Sequence, residues 1–377
     1  MKKIALLGAS GSIGSQTLDL VRSNPEKYQI ETLAFKGSNF NLIKNIISEF
    51  NPKAVYIKDF KVKEELILFF PKIEFLENLK DCVLFNEISH VVVAVTGNFG
   101  LEPTIKALEN NKTVVLANKE TIISGGCLIK DILKRTKGKI ISADSEPIAI
   151  QQCLKNENLE KIRNVYLTAS GGPFWNKNID FEKVKLEEVL CHPTWSMGKK
   201  ITIDCATLMN KGFEVIEIEQ LFDINYEQIK VLIHPQSAIH SMVEFIDGNI
   251  LSQIAVNDMR IVLQYALNGT ERKENLSNKF FDFSLINKFE FFEVDKKRFR
   301  CLDLAYDAGK KGQSYTAVLV SADELAVKAF IDGRISFIKI PEIIETLLEK
   351  HSPFNIRDIE DIKNIEKWVK KEFVIKP

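Results

Sequence analysis

The chain has 377 residues, 45% of them hydrophobic and 27% charged, and its 51 basic side chains equal its 51 acidic ones. This length exceeds one ordinary hydrophobic core and predicts two or three domains. The balanced charge gives no reason to expect a nucleic acid or a membrane surface as partner. We expect no signal peptide and no spanning helix. Scattered cysteines without a C-x-x-C pair indicate reduced thiols in a cytoplasmic protein.

The first 145 residues alternate short apolar runs with helical stretches. Nearly all-apolar strands separated by helices predict a parallel sheet covered on both faces, which is the doubly wound, Rossmann-like α/β class. We therefore expect a nucleotide-binding domain at 1–145. The predicted strands are 3–7, 30–35, 54–57, 91–95, 114–117 and 140–143.

The pattern changes after residue 145. Strands at 165–169 and 231–233 and a hairpin of 239–245 with 249–254, with helices between them, predict a central α+β catalytic domain at 146–267. Residues 268–294, rich in charge and phenylalanine, are predicted to be a linker. Residues 295–377 have helical periodicity and predict a C-terminal helical bundle. Its expected helices are 302–310, 315–331, 341–350 and 359–371.

Glycines 8, 11 and 14 follow the first strand and open a helix. Glycine lets the backbone approach a pyrophosphate, and a helix N-terminus favours an anion, so this motif predicts dinucleotide binding. A plain tight turn is the alternative. The second strand ends without an acid and is followed by Lys36, which favours NADPH over NADH. A solvated loop lysine is the alternative there.

Three carboxylates are candidate metal ligands. Asp144 and Glu146 lie two apart at a predicted strand end, where their side chains would share one side. Glu214 lies on a helix predicted to begin near residue 208. Three oxygen ligands suit Mg²⁺ or Mn²⁺ better than zinc, although a polar strand end is the alternative for the first pair. The residues predicted on one face of this helix are Asn210, Lys211, Glu214 and Glu217.

A cradle for a phosphate is predicted beside these carboxylates. Asn210 and Lys211 could hold the phosphate, and Ser145 and Ser170 could donate to it. The segment 170–174 leaves a strand into a turn typical of a mobile lid. His192 and Trp195 lie in a further loop, where the tryptophan is expected to pack on substrate or on a neighbouring wall. Ordinary loop packing is the alternative for each of these residues alone.

Taken together, these motifs resemble one enzyme family along nearly the whole chain. The family is 1-deoxy-D-xylulose 5-phosphate reductoisomerase of the non-mevalonate route to isoprenoids. The resemblance implies an NADPH-dependent homodimer that uses Mg²⁺, Mn²⁺ or Co²⁺. It also implies rearrangement and reduction of the sugar phosphate to 2-C-methyl-D-erythritol 4-phosphate. The segments that carry it are 8–14, 117–120, 144–146, 170–174, 192–198, 210–214 and 234–237.

The resemblance also implies roles for individual residues. Asp144, Glu146 and Glu214 would hold the metal. Trp195 and Met197 would belong to a closing flap at 192–198. The implied substrate contacts are Lys119, Ser145, Glu146, Ser170, His192, Asn210 and Lys211. The implied catalytic residues are the three metal ligands together with Lys119, His192 and Trp195. The implied NADPH contacts are Ser10, Gly11, Ser12, Ile13, Lys36, Gly37, Ser38, Asn39, Asn118, Glu120 and Gly198.

Three departures from the family pattern affect these expectations. Cys205 stands at a substrate-binding position where many members have a serine that contacts the phosphate. A thiol is larger and a weaker donor, so this contact is expected to be lost or filled by water. Pro147 replaces a common histidine and removes a backbone donor. The order of residues 36–39 differs from the common one, which leaves the alignment there uncertain by one position.

Two rival functions remain open at this point. A different NADPH oxidoreductase, such as a semialdehyde or homoserine dehydrogenase, is one, and Cys191-His192 is the neighbouring pair that the semialdehyde enzyme would use. A non-enzymatic NADP-binding sensor is the other. The retained Asp144, Glu146 and Glu214 argue against a sensor.

Overall fold

The computed structural model describes residues 1–192, 194–195, 197–269, 271–274, 279–286 and 288–373. The chain divides into two compact units. The first comprises residues 1–121, 128–144 and 258–278, and the second comprises residues 122–127, 145–257 and 279–377. Within the described ranges, no helix combines the length and apolar character that crossing a bilayer requires. The boundaries expected at 145, 267 and 294 stay a prediction.

The first unit is built on seven strands, which are β1 (Lys2–Leu7), β2 (Tyr28–Phe35), β3 (Ala54–Ile57), β4 (Glu74–Leu76), β5 (His90–Val93), β6 (Thr113–Leu116) and β7 (Lys139–Ser142). All pair in parallel in the order β4-β3-β2-β1-β5-β6-β7. This sheet confirms the predicted doubly wound class. Its strand order reverses between β1 and β5, which is where such sheets bind nucleotides.

Five helices connect these strands, namely α1 (Ser12–Ser23), α2 (Phe40–Phe50), α3 (Phe60–Phe69), α4 (Leu101–Glu109) and α5 (Lys119–Arg135). The four residues of β5 are all buried, as are Ile4 to Leu7 of β1. Strands buried on both faces favour apolar side chains, which is why Ile4 to Leu7 and Val91 to Val93 are continuous apolar runs in the sequence.

His90 at the start of β5 makes the stability of this unit depend on pH. It is 8% exposed, and burial, together with the nearby Lys2, lowers its pKa from 6.5 to about 4. Between these values the unfolded chain binds more protons than the folded one, so stability falls as pH falls. We expect a loss of about 2 kcal/mol through this group between pH 7 and pH 5. Urea unfolding of a His90→Asn variant should show a correspondingly smaller loss, and an equal loss would contradict this account.

The second unit contains a mixed sheet of β8 (Ile162–Ala169), β9 (Ile229–Ile233), β10 (Ile239–Phe245), β11 (Ile250–Ile254) and β12 (Phe292–Glu293). Its order is β11-β10-β8-β9-β12, with β8 and β9 parallel and the other pairs antiparallel. The antiparallel pairing of β10 with β11 confirms the predicted hairpin. Helix α6 (Ser145–Cys153) precedes β8. The helices between β8 and β9 are α7 (Leu186–Val189), α8 (Lys199–Thr207) and α9 (Met209–Phe222).

Helices α6 and α9 pack on this sheet through an apolar cluster. Ile150 of α6 and Val215 of α9 lie in it with Val165 and Leu167 of β8. This packing holds the N-terminal turns of both helices, which carry candidate site residues. Gly212 of α9 is also required, since a Cβ there would lie 2.5 Å from Cβ of Ala305.

The remaining helices are α10 (Met259–Leu267), α11 (Arg300–Lys311), α12 (Tyr315–Ile331), α13 (Lys339–Lys350) and α14 (Ile359–Glu372). The last four confirm the predicted helical region, and α12 contacts α11, α13 and α14. Helix α10 belongs to the first unit, where the carbonyl of Leu267 accepts a hydrogen bond from Lys2 at 2.5 Å. The predicted linker at 268–294 contributes the short strand β12, and its residues 270, 275–278 and 287 lie outside the described ranges.

Candidate active site

The three candidate metal ligands lie at the ends of secondary-structure elements. Asp144 follows β7, which ends at Ser142, and Glu146 lies in the first turn of α6. Glu146 therefore lies on a helix, and strand-end spacing is not what brings these two carboxylates together. Glu214 lies in the second turn of α9, and this helix starts after Leu208, whose left-handed backbone (φ 60°) separates it from α8.

The carboxylates nevertheless converge. Asp144, Glu146 and Glu214 each offer one oxygen, and these oxygens lie within 4.8 Å of one another. Glu214 is fully buried, and the other two are half-buried. Three hard oxygen ligands that leave coordination positions open suit Mg²⁺ or Mn²⁺. The donor set therefore fits a divalent cation, while the ligand role of each residue stays a prediction.

Lysines lie next to these acids. Lys119, the first residue of α5, forms an ion pair with Asp144. Lys211 lies 2.5 Å from Oε2 of Glu214 and 3.5 Å from Oε2 of Glu146. Asn210 also donates to Oε1 of Glu214 at 2.6 Å. The predicted phosphate-binding pair Asn210 and Lys211 thus shares one helix turn with a predicted metal ligand.

Sequence analysis missed His240. This β10 residue is 4% exposed, and its Nδ1 lies 3.5 Å from Oε1 of Glu146. Burial by itself raises the pKa of Glu146, but Lys211 and His240 hold it below its usual value, and Ser145 adds a hydrogen bond at 2.8 Å. The available signal was a histidine inside a predicted strand, where its burial could be expected. Glu146 is therefore held as a carboxylate.

Ser170 and His192 are joined by a hydrogen bond whose direction can be assigned. Nδ1 of His192 accepts from the backbone N–H of Thr194 at 3.2 Å and of Trp195 at 3.0 Å. Burial lowers the pKa of His192, so the ring is neutral and carries its proton on Nε2. Nε2 then donates to Oγ of Ser170 at 3.0 Å, and the N–H of Gly172 donates to the same oxygen at 3.3 Å. The Ser170 hydroxyl is oriented to donate to another acceptor, such as a phosphate oxygen.

The flap at 192–198 is anchored at its start by these bonds. Its residues Pro193 and Ser196 lie outside the described ranges. The Trp195 ring lies edge-on to His240, with centroids 6.4 Å apart. Gly198 ends the segment and is the N-cap of α8. The expected contact of Trp195 with a neighbouring wall is present.

We expect a Trp195→Ala variant to lose about a hundredfold in kcat/KM while its unfolding temperature stays near that of the wild-type chain. The reason is that the half-buried ring packs edge-on to His240 in the flap, so its loss should disturb positioning more than folding. Steady-state kinetics and thermal unfolding measure both effects. Trp195→Phe keeps an aromatic ring and should recover most of the activity. Unchanged kinetics for Trp195→Ala would reject the flap role.

Two departures from the family pattern have structural explanations. Pro147 lies in the first turn of α6, where a backbone N–H has no partner within the helix, so proline removes no helical hydrogen bond. Cys205 lies on α8 beside the turn that follows Ser170, since a Cβ on Gly172 would lie 2.9 Å from the Cys205 carbonyl. Cys205 is thus close to the predicted phosphate-binding turn.

The glycine turn after β1 fits a nucleotide. A Cβ on Gly8 would lie 2.4 Å from the carbonyl oxygen of Ala94, and one on Gly14 would lie 2.2 Å from that of Gly8. Both contacts are with backbone, so only glycine is tolerated, and α1 begins at Ser12 within the turn. The predicted contacts Ser10 to Ile13 surround this helix N-terminus, which favours a pyrophosphate.

The other predicted NADPH contacts lie after β2 and at the start of α5. Lys36 and Ser38 are exposed after β2, and Gly37 has φ 108°. The Asn39 side chain accepts from Leu42 N–H as the N-cap of α2. Glu120 lies in the first turn of α5.

The Asn118 side chain forms hydrogen bonds with the backbone around it. Its Nδ2 donates to the carbonyls of Val95 at 2.5 Å and Gly97 at 2.7 Å. Its Oδ1 accepts from the backbone N–H of Thr121 at 3.0 Å. Both ends of the amide are used, so Asn118 fixes the loop after β5, and a contact with NADPH would come from its backbone.

The geometry does not support the semialdehyde dehydrogenase alternative. That reaction needs a base beside the thiol of Cys191. The Cys191 Sγ donates to the Glu187 carbonyl at 3.2 Å, while both ring nitrogens of His192 are bonded to Ser170 and to the flap backbone. His192 is thus committed elsewhere.

Three family models that describe the same enzyme match successive parts of the chain. The family model described as 1-deoxy-D-xylulose 5-phosphate reductoisomerase matches residues 4–126. The model for the C-terminal domain of the same enzyme matches residues 140–222, and one described as DXP reductoisomerase C-terminal domain matches residues 254–372.

Relatives named as this enzyme are similar over nearly their whole length. The 1-deoxy-D-xylulose 5-phosphate reductoisomerase of Caldanaerobacter subterraneus subsp. tengcongensis is 47% identical, with 97% of each chain covered. That of Shouchella clausii is 43% identical, with 99% of each chain covered. The solved enzyme from Zymomonas mobilis in complex with NADPH is 35% identical, with a TM-score of 0.91 and coverage of 98% of this chain and 97% of that one. A solved DOX-P reductoisomerase in complex with NADPH, fosmidomycin and magnesium is 32% identical, with a TM-score of 0.92 and the same coverage.

Proposed function

Because the chain belongs to the 1-deoxy-D-xylulose 5-phosphate reductoisomerase family, we propose that it converts this sugar phosphate into 2-C-methyl-D-erythritol 4-phosphate. NADPH and a divalent cation are its cofactors. The convergence of Asp144, Glu146 and Glu214 is the observation that supports this function most strongly. A sensor without catalysis would not need three converging acids.

Different residues of this chain bind the substrate phosphate and exclude water from the site. When bound, NADPH supplies the reducing equivalent and the cation supplies positive charge to substrate oxygens. Ser170, Asn210 and Lys211 hold the phosphate and so place the reacting end of the substrate. Trp195, packed on His240, helps exclude water.

His192 and Lys119 complete the proposed substrate site. The neutral His192 fixes the orientation of the Ser170 hydroxyl through its Nε2 proton. Lys119 is buried and paired with Asp144, so its ammonium lies where it can balance negative charge on a substrate oxygen. Neither residue needs to change its protonation state for these tasks.

The decisive assay follows NADPH oxidation with purified 1-deoxy-D-xylulose 5-phosphate, with added Mg²⁺ and after chelation. We expect oxidation that requires both the sugar phosphate and the cation. Oxidation that is unaffected by chelation, or absent with this substrate, would contradict the proposal. Aspartate semialdehyde and homoserine serve as control substrates for the rival dehydrogenases.

A Cys205→Ser variant should be at least as active as the wild-type chain, with a KM for the sugar phosphate that is a few-fold lower. The hydroxyl is a stronger hydrogen-bond donor than the thiol, and the residue lies beside the turn after Ser170. Steady-state kinetics measure this, with Cys191→Ser as the matched control. Complete loss of activity would show that the thiol has a function of its own.

The proposal also includes a cytoplasmic homodimer that uses Mg²⁺, Mn²⁺ or Co²⁺. The edge strand β11 supports an interface, because Ile250 is 51% exposed and Leu251 is 42% exposed there. Cys82, Cys153, Cys191 and Cys301 are reduced thiols, in keeping with a reducing compartment. Light scattering at known concentration tests the dimer.

A further inference from the structure

Two exposed side chains meet above the nucleotide end of the parallel sheet. The Lys58 ammonium lies 3.8 Å from the centroid of the Phe99 ring. Lys58 directly follows β3, and Phe99 lies in a short 3-10 helix (Gly97–Gly100) after β5. An aromatic ring that is 57% exposed is costly in water, and a lysine resting on its face is a cation–π contact.

The order of the strands in the sheet shows where this contact lies. Strands β2 and β1 lie between β3 and β5, so the two chain segments start about 14 Å apart at ordinary strand spacing. The pair therefore bridges the carboxyl ends of β2 and β1. The glycine turn at Gly8 and the segment 36–39 lie at those same ends, where a doubly wound sheet binds the adenosine half of a dinucleotide.

The backbone on both sides of the pair is fixed. Asn118 holds the carbonyls of Val95 and Gly97 in the loop that presents Phe99. On the other side, the Lys58 N–H donates to the Phe35 carbonyl at 3.0 Å, tying it to the end of β2. The neighbouring Asp59 carboxylate accepts from Val62 N–H as the N-cap of α3. One oxygen of that acid is therefore used by the helix.

We propose that Lys58 and Phe99 form the adenosine clamp of this chain, with Phe99 stacking on the adenine and Lys58 binding the 2′-phosphate. This rests on the proposed use of NADPH and adds a second cation to Lys36. In this structure the two side chains contact each other. Binding replaces that contact with a base–aromatic stack and a phosphate–ammonium pair. Lys58 is then a specificity residue, and Phe99 binds NADPH and NADH alike.

Equilibrium binding to the full chain tests this without turnover, using isothermal titration with four probes: NADPH, NADH, 2′,5′-ADP and 5′-AMP. Lys58→Met should weaken NADPH and 2′,5′-ADP about tenfold and leave NADH and 5′-AMP unchanged. Phe99→Ala should weaken all four about tenfold, and Phe99→Tyr should retain binding. Lys61→Met, which removes an exposed lysine from α3, is the matched control and should change none of them.

Salt gives an independent readout. The preference of the wild-type chain for NADPH over NADH should fall as salt rises, and that fall should be smaller in Lys58→Met. Equal effects of Lys58→Met on NADPH and NADH, or unchanged binding in Phe99→Ala, would overturn the clamp while leaving the proposed reaction intact. Failure of the wild-type chain to bind NADPH would overturn both. Retained 5′-AMP binding in Lys58→Met shows that the variant is folded.

Discussion

A Glu214→Gln variant should lose about a thousandfold in turnover while it binds NADPH as tightly as the wild-type chain. The amide keeps the size of the side chain but removes the negative charge that a dication needs. Glu214 is fully buried among Asn210, Lys211 and the other two carboxylates, so no water-exposed group can replace it. Steady-state rates with the sugar phosphate and titration with NADPH measure the two effects.

Glu219→Gln is the matched control for this variant. It changes an acid of the same helix that lies outside the group of three converging carboxylates. Its turnover should stay within a few-fold of the wild-type value. If Glu214→Gln turned over like the wild-type chain, the metal site would be assigned to the wrong residues.

A Lys211→Met variant should be less stable than the wild-type chain when no divalent cation is present, by about 3 kcal/mol. The ammonium lies 2.5 Å from the fully buried Glu214 and 3.5 Å from Glu146. Without it, the buried Glu214 and the half-buried Glu146 lose the ammonium that they share, and Glu146 keeps His240 beside it. Mg²⁺ should restore much of the lost stability, because it supplies positive charge to the same oxygens.

Thermal unfolding with chelator and with Mg²⁺ measures this. The rise in unfolding temperature on adding Mg²⁺ should be larger for Lys211→Met than for the wild-type chain. Lys199→Met, which changes an exposed lysine at the start of α8, should respond like the wild-type chain. Equal responses in all three proteins would show that Lys211 and the cation do not share these carboxylates.

The regular elements of the chain were predictable because their patterns are strong. Continuous apolar runs identified all the strands of the parallel sheet except β4, which has three residues and lies at its edge. Helical periodicity placed Asn210, Lys211 and Glu214 on one helix that begins one residue later than expected. The glycine at 212 has a packing role that only the contact with Ala305 reveals.

The parts of the site that sequence reasoning missed depend on tertiary contacts. The spacing of Asp144 and Glu146 suggested that both side chains lie on one side of a strand end. In the structure α6 starts at Ser145, so Glu146 lies in a helix. His240 lies in β10 and reaches Glu146 only because α6 packs on β10. The use of both ends of the Asn118 amide likewise depends on where the loop after β5 lies.

The central claim is that Asp144, Glu146 and Glu214 hold one dication. Anomalous diffraction from crystals of the full chain soaked with Mn²⁺ tests it most directly. We predict one peak at coordination distance from an oxygen of each of the three carboxylates, and no such peak in Glu214→Gln crystals. A wild-type map with no peak there, or with a peak that touches none of these oxygens, would contradict the account.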